Sequence, residues 1–146
     1  MPLPDVQSHR DTADLQGDVL RHFGGKYLSL TTFRRDGTGV ATRVAFVLAG
    51  NRVVTVADAG SYTVRRIQAG AFVTLAPCTG RGRVTGPVVP ARAELLDGRR
   101  VDEVEQLLRE KYRAGSALAG PLRAFRSALH RQSARGDVVA ISIKPL

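Results

Sequence analysis

Through the middle of the chain, apolar and polar residues alternate in short runs closed by turn-forming residues, a rhythm that predicts strands. The longest run spans 39–49, where Val40, Thr42, Val44, Phe46 and Leu48 fall on one face. A strand over 26–34 precedes it, and Asp36-Gly37 between the two predicts a hairpin. Gly50-Asn51 then turns the chain into a third strand over 53–57. Strands joined in this order predict an antiparallel meander. Further strands are expected over 72–77, over 88–96 with Ala91, Ala93 and Leu95 opposite Arg92 and Glu94, and over 138–144 with Val139, Ile141 and Ile143 facing together.

A different period appears around these runs. Leu15, Val19 and Phe23 recur at helical spacing behind Asp11-Thr12-Ala13-Asp14, and Gly24-Gly25 stops that helix. Residues 61–68 predict a short helix with Ser61 as its cap and Gly70 as its stop. Residues 100–113 are the clearest helix, with Val101, Val104, Leu107, Leu108 and Tyr112 on one stripe. After a break at 115–120, Pro121 opens another, where Leu122, Phe125 and Leu129 face inward. Arg123, Arg126, His130 and Arg131 lie around its other side, either as a solvated face or as packing across a subunit boundary. Residues 1–8 carry two prolines and no periodicity, and read as a flexible tail. The expectation is one domain over 1–146, mainly β, with barrel strands in 26–96 and 137–145, a helical segment over 100–131, and a closed barrel that removes exposed edges.

Composition narrows the function classes. The chain has 146 residues, 43% hydrophobic and 24% charged, enough for one proper core. No stretch nears the roughly 20 apolar residues of a membrane span, and the N-terminus lacks the apolar segment of a signal peptide, so no membrane partner is expected. The single cysteine, Cys78, agrees with a reducing cytoplasm and reads as a small buried residue at a strand end. Net charge is +9, carried mostly by arginine. With aromatics at 5% and no helix-turn-helix, zinc spacing or stacking motif, nucleic acid ranks behind a solvated surface and an anionic small molecule.

Classical catalytic constellations are missing from the sequence. His9, His22 and His130 are scattered without metal-ligand spacing, no nucleophile elbow is present, and the glycine-rich loop 79–87 with Arg81 and Arg83 has no Walker pattern. No metal site is expected. What stands out is a local set of hydroxyl and guanidinium donors, Ser61, Thr63, Arg65 and Arg66, between two strands. Such a set suits a phosphate. The spacing alone serves equally as a helical connector with solvated arginines.

A resemblance joins these pieces. Leu30-Thr31-Thr32-Phe33-Arg34-Arg35-Asp36-Gly37-Thr38, Gly60-Ser61-Tyr62-Thr63-Val64-Arg65-Arg66-Ile67, Leu75-Ala76-Pro77-Cys78 and Gly82-Arg83-Val84-Thr85-Gly86-Pro87 follow one another in order. Together they resemble the pyridoxamine 5'-phosphate oxidase-like split-barrel family, in its branch that uses the deazaflavin coenzyme F420. The likeness runs from about Tyr27 to Tyr112. It implies an antiparallel split β-barrel of the FMN-binding type with helices packed outside, forming a homodimer with the cofactor cleft at the subunit interface. It implies Thr42, Arg43, Val44 and Thr55 beside the deazaflavin ring, and Ser61, Thr63 and Arg66 at the phosphate. Hydride transfer to an unsaturated or quinone-like organic substrate follows from the same likeness.

Two positions depart from the pattern. A lysine of the branch is Thr63 here, which removes one phosphate-binding charge, and a proline is Arg43, a long cation near the expected ring. A cation there would favour an anionic ring form or an anionic substrate. FMN or haem bound by the same barrel fits the loss of lysine equally well. A barrel repurposed for binding or for non-redox biosynthesis is a further alternative.

Overall fold

The computed structural model describes residue 20 and residues 23–96, 98–113 and 138–146. The expected tail, most of the first helix and the helix opening at Pro121 lie outside the described residues. Seven strands and two helices follow in order: β1 (Tyr27–Phe33), β2 (Gly39–Ala45), β3 (Val47–Ala49), β4 (Arg52–Asp58), α1 (Tyr62–Ala69), β5 (Phe72–Cys78), β6 (Val89–Leu96), α2 (Arg99–Arg113) and β7 (Val138–Pro145). They form one antiparallel sheet in the order β2-β1-β5-β6-β7-β4-β3. Its two outermost strands are consecutive in sequence, joined through Phe46 alone. The sheet is therefore curled, as the expected split barrel requires.

Local chemistry sets each turn. The hairpin after β1 has Gly37 at φ +87°, and the Asp36 carboxylate accepts the Thr38 amide at 2.9 Å. That bond holds the Asp36 carboxyl below its usual range. Ser61 caps α1 by accepting the Val64 amide at 3.2 Å, and the Gly70 amide closes the helix on the Arg66 carbonyl.

Two apolar clusters hold the sheet. The inner one fills the barrel with Leu28, Leu30, Phe46, Val53, Val73, Leu75, Ala91, Ile141 and Ile143, and α1 plugs one end with Val64 and Ile67. Leu20 and Phe23 also belong to it, Phe23 meeting Phe46 edge-on at 6.4 Å between ring centroids. The outer cluster lies between the sheet and α2, where Val104, Leu108 and Tyr112 cover Val47, Val54, Val56 and Ala140. Leu107, expected on the same stripe, is 37% exposed.

The expected meander needs correction. The run 39–49 is not one strand: Phe46 and Val47 are both buried and Leu48 is 40% exposed, so the alternation reverses at the corner. β2 pairs with β1 and β3 with β4, at opposite ends of the sheet order. The physical reason lies in side chains remote in sequence. At the corner the Thr55 hydroxyl donates to the Ala45 carbonyl at 2.6 Å, the Phe46 amide donates to the Tyr112 hydroxyl at 3.1 Å, and the Lys111 ammonium donates to the Phe46 carbonyl at 2.7 Å. These bonds satisfy backbone groups that a turning strand takes out of the ladder. Tyr112 also donates to the Lys26 carbonyl, tying the start of β1 to the same point.

Candidate functional site

The residues expected at the site divide between the two ends of β1. At one end stands α1. Arg66 is half-buried and its Nε donates to the Thr32 hydroxyl at 2.6 Å, with Thr32 itself 1% exposed. The remaining guanidinium N–H groups have no partner among the described residues. Thr63 is half-buried on the same helix. The Tyr62 and Thr63 amides, in the first turn, lack an intrahelical acceptor. Here, then, are a fixed guanidinium, a hydroxyl and open amides on one short helix. Asp58 faces the same turn, accepting the Gly60 amide on its carboxylate at 3.0 Å and the Ser61 amide on its carbonyl at 3.0 Å. That carboxylate tempers the positive field.

The other end is β2 and the start of β1. Thr42 and Val44 alternate with Arg43, both half-buried, and Val44 packs against the barrel interior. Arg43 is exposed and lies over the Tyr27 ring, 4.7 Å from its centroid. Its strand partner is Ser29, so the guanidinium leans along β1 away from Thr32. Tyr27 and Thr32 lie about 16 Å apart at the rise of a strand. Arg43 and Arg66 therefore mark separate places. Thr55 is 2% exposed and gives its hydroxyl hydrogen to Ala45, which makes it a brace for the strand carrying Thr42 and Arg43.

Cys78 ends β5 opposite Tyr27 and is buried. Burial pushes its thiol up, against the opposing pull of Arg43, so the sulfur is protonated at neutral pH. The loop beyond it folds back: Thr79 accepts the Arg81 and Arg83 amides on its hydroxyl at 3.3 and 3.2 Å, and Thr85 donates to the Pro77 carbonyl at 2.8 Å. Gly86 packs so closely on Pro77 that an added Cβ would sit 2.6 Å from the proline ring. The Thr-Gly-Pro loop thus seats against the end of β5.

Three contributors left no signal in the sequence. Thr32 stands inside a quoted motif, yet its tie to Arg66 spans 34 positions and leaves no local trace. Lys111 and Tyr112 looked like ordinary helix positions. Among the described residues no cluster of His, Cys, Asp or Glu could hold a metal, and no helix is long and apolar enough to cross a membrane.

No family model matches the chain, and no curated protein does. Solved structures do. A Listeria innocua protein named for pyridoxamine 5'-phosphate oxidase superposes with a TM-score of 0.58 at 14% identity, covering 90% of this chain and 93% of that one. HutZ, the haem storage protein from Vibrio cholerae, gives 0.58 at 14%, covering 89% of each. A protein named F420 reductase gives 0.53 at 16%, covering 87% and 92%. The curled antiparallel sheet with its two helices agrees with these superpositions, and the chain has the split-barrel fold of the pyridoxamine 5'-phosphate oxidase-like proteins.

Proposed function

We propose that this chain binds a phosphate-bearing redox coenzyme at α1, coenzyme F420 by its sequence resemblance, and reduces an unsaturated or quinone-like organic substrate. The observation that carries the reading is Arg66: half-buried, fixed through Nε on Thr32, with its other donors uncommitted, on the same short helix as Thr63 and the open amides of the first turn. A guanidinium held by one nitrogen keeps its fork for a phosphate and loses little freedom on binding. The donor set fits a phosphate group.

When bound, the coenzyme supplies the hydride. The protein's part is position and field. Thr63 and Arg66 would hold the phosphate, while Ser61 shapes the first turn that presents the amides. Thr42, Arg43 and Val44 would line the ring side, with Thr55 keeping their strand in place. A homodimer with the cleft at the subunit interface belongs to this reading, as does a cytoplasmic setting for the reduced Cys78.

A fluorescence titration with F420 tests the reading. The expected outcome is saturable quenching that Arg66→Ala weakens by about 1.5–3 kcal/mol. No binding at micromolar protein, or unchanged affinity in the variant, overturns it. FMN or haem in the same cradle is the second reading, favoured by Thr63 in place of lysine and by the Asp58 carboxylate facing the turn. It predicts a protein that purifies yellow or red.

A further inference from the structure

A separate cavity of about 490 Å³ opens where the start of β1 meets the end of β5, lined by Lys26, Tyr27, Cys78, Thr79 and Gly80. It lies at the Tyr27 end of β1, away from Arg66. No carboxylate lines it. Lys26 is exposed, and Arg43 rests on the Tyr27 ring beside it. Neither cation forms an ion pair among the described residues, where Arg52 pairs with Glu94 at 3.5 Å. The Thr79 hydroxyl accepts two amides, which leaves its own hydrogen to donate. The Gly80 amide has no acceptor among the described residues, and neither does the Tyr27 hydroxyl.

The frame is rigid on three sides. Tyr112 holds the Lys26 carbonyl, the β1–β5 ladder sets Tyr27 opposite Cys78, and the Thr79 turn is closed by its amide on the Arg83 carbonyl at 2.8 Å. Gly80 approaches the Tyr27 ring closely enough that an added Cβ would lie 3.8 Å from it. Donors therefore line one place with no carboxylate among them; one cation, Lys26, lines it, and a second, Arg43, rests on the Tyr27 ring that forms part of its wall. Such an arrangement attracts an oxyanion and repels a metal ion.

We propose that this cavity is a binding site for the carboxylate or phosphate group of a small organic anion, distinct from the phosphate cradle on α1. The oxyanion sits against the Thr79 hydroxyl and Gly80 amide, Lys26 and Arg43 supply the charge, and the remaining volume takes the organic body over Cys78. The protonated thiol gives that floor a small apolar surface.

Amide spectra of the full chain test it, with inorganic phosphate and benzoate as probes and sodium chloride at matched ionic strength as the control. The expected result is a saturable shift of the Gly80 and Thr79 amides with phosphate, benzoate or both, absent with chloride. Which probe saturates at lower concentration tells phosphate ligands from carboxylates. Lys26→Gln combined with Arg43→Gln should raise the apparent dissociation constant by about tenfold. Arg66→Ala should leave these shifts intact, so failure of the coenzyme reading and failure of this one are separable. The proposal is overturned if Gly80 stays still with both probes, if chloride moves it equally, or if the double variant, still giving a dispersed spectrum, binds unchanged.

Discussion

The two helices treat polar groups in opposite ways. α2 lies on the outside of the barrel and commits two polar side chains near its end to the protein: Tyr112 takes the Phe46 amide and gives to Lys26, and Lys111 gives to the Phe46 carbonyl while sitting 3.5 Å from the Phe46 ring centroid. α1 plugs the barrel with two residues, Val64 and Ile67, and leaves guanidinium donors and first-turn amides uncommitted. Satisfied polar groups specify a shape, and uncommitted ones beside a rigid anchor are what a ligand can use. The contrast predicts that damage at α2 appears as lost stability alone, and damage at α1 as a smaller loss of stability joined, under the coenzyme reading, by lost binding.

The sharpest break should come from Tyr112→Phe. It leaves the buried Phe46 amide without its acceptor, and urea denaturation should show a loss of about 2–3 kcal/mol. Ser61→Ala comes next, removing the α1 cap for about 1 kcal/mol by the same measurement. Thr32→Val frees Arg66 at nearly constant volume and should cost about 0.5–1.5 kcal/mol in stability. Under the coenzyme reading, it also loosens F420 binding. A loss of binding in Tyr112→Phe at a concentration of denaturant-free, folded protein would erase the distinction between the helices.

The remaining test of the comparison is one of pH. Burial holds the Lys111 ammonium at about 8, below the ordinary 10.5, although the Phe46 carbonyl and ring favour its charged form. Folded protein sheds that proton first, so between pH 8 and 10.5 the unfolded chain binds more protons and stability rises with pH. Tyr112 acts the other way: burial raises its hydroxyl to about 12 from 10.0, so above pH 10 the unfolded chain ionises first and stability falls. Denaturation midpoints should therefore peak near pH 10, and Lys111→Met should flatten the rising limb alone.

How much of this was legible beforehand follows from range. Features set within a few residues could be read: the Asp36-Gly37 hairpin, the Ser61 cap and Gly70 stop, and the Val101, Val104, Leu108 and Tyr112 stripe. The corner at Phe46 could not, because its cause sits 65 and 66 positions away on Lys111 and Tyr112. One local sign existed, the consecutive apolar Phe46-Val47-Leu48, which a strand with one wet face does not need. For the site, residue types pointed to donors at 61–66 but gave no sign that Thr32 pins Arg66 or that Arg43 leans the other way over Tyr27.

Since a single stretch of backbone supplies both terminal strands of the sheet, registry there is a shared property. Sliding β2 by one residue against β1 would swap Arg43 with Thr42 between the faces and would also drag β3 along β4. Misalignment at either seam must be committed at both together, so errors of pairing are penalised twice, and the chain gains fidelity from its connectivity before any ligand arrives.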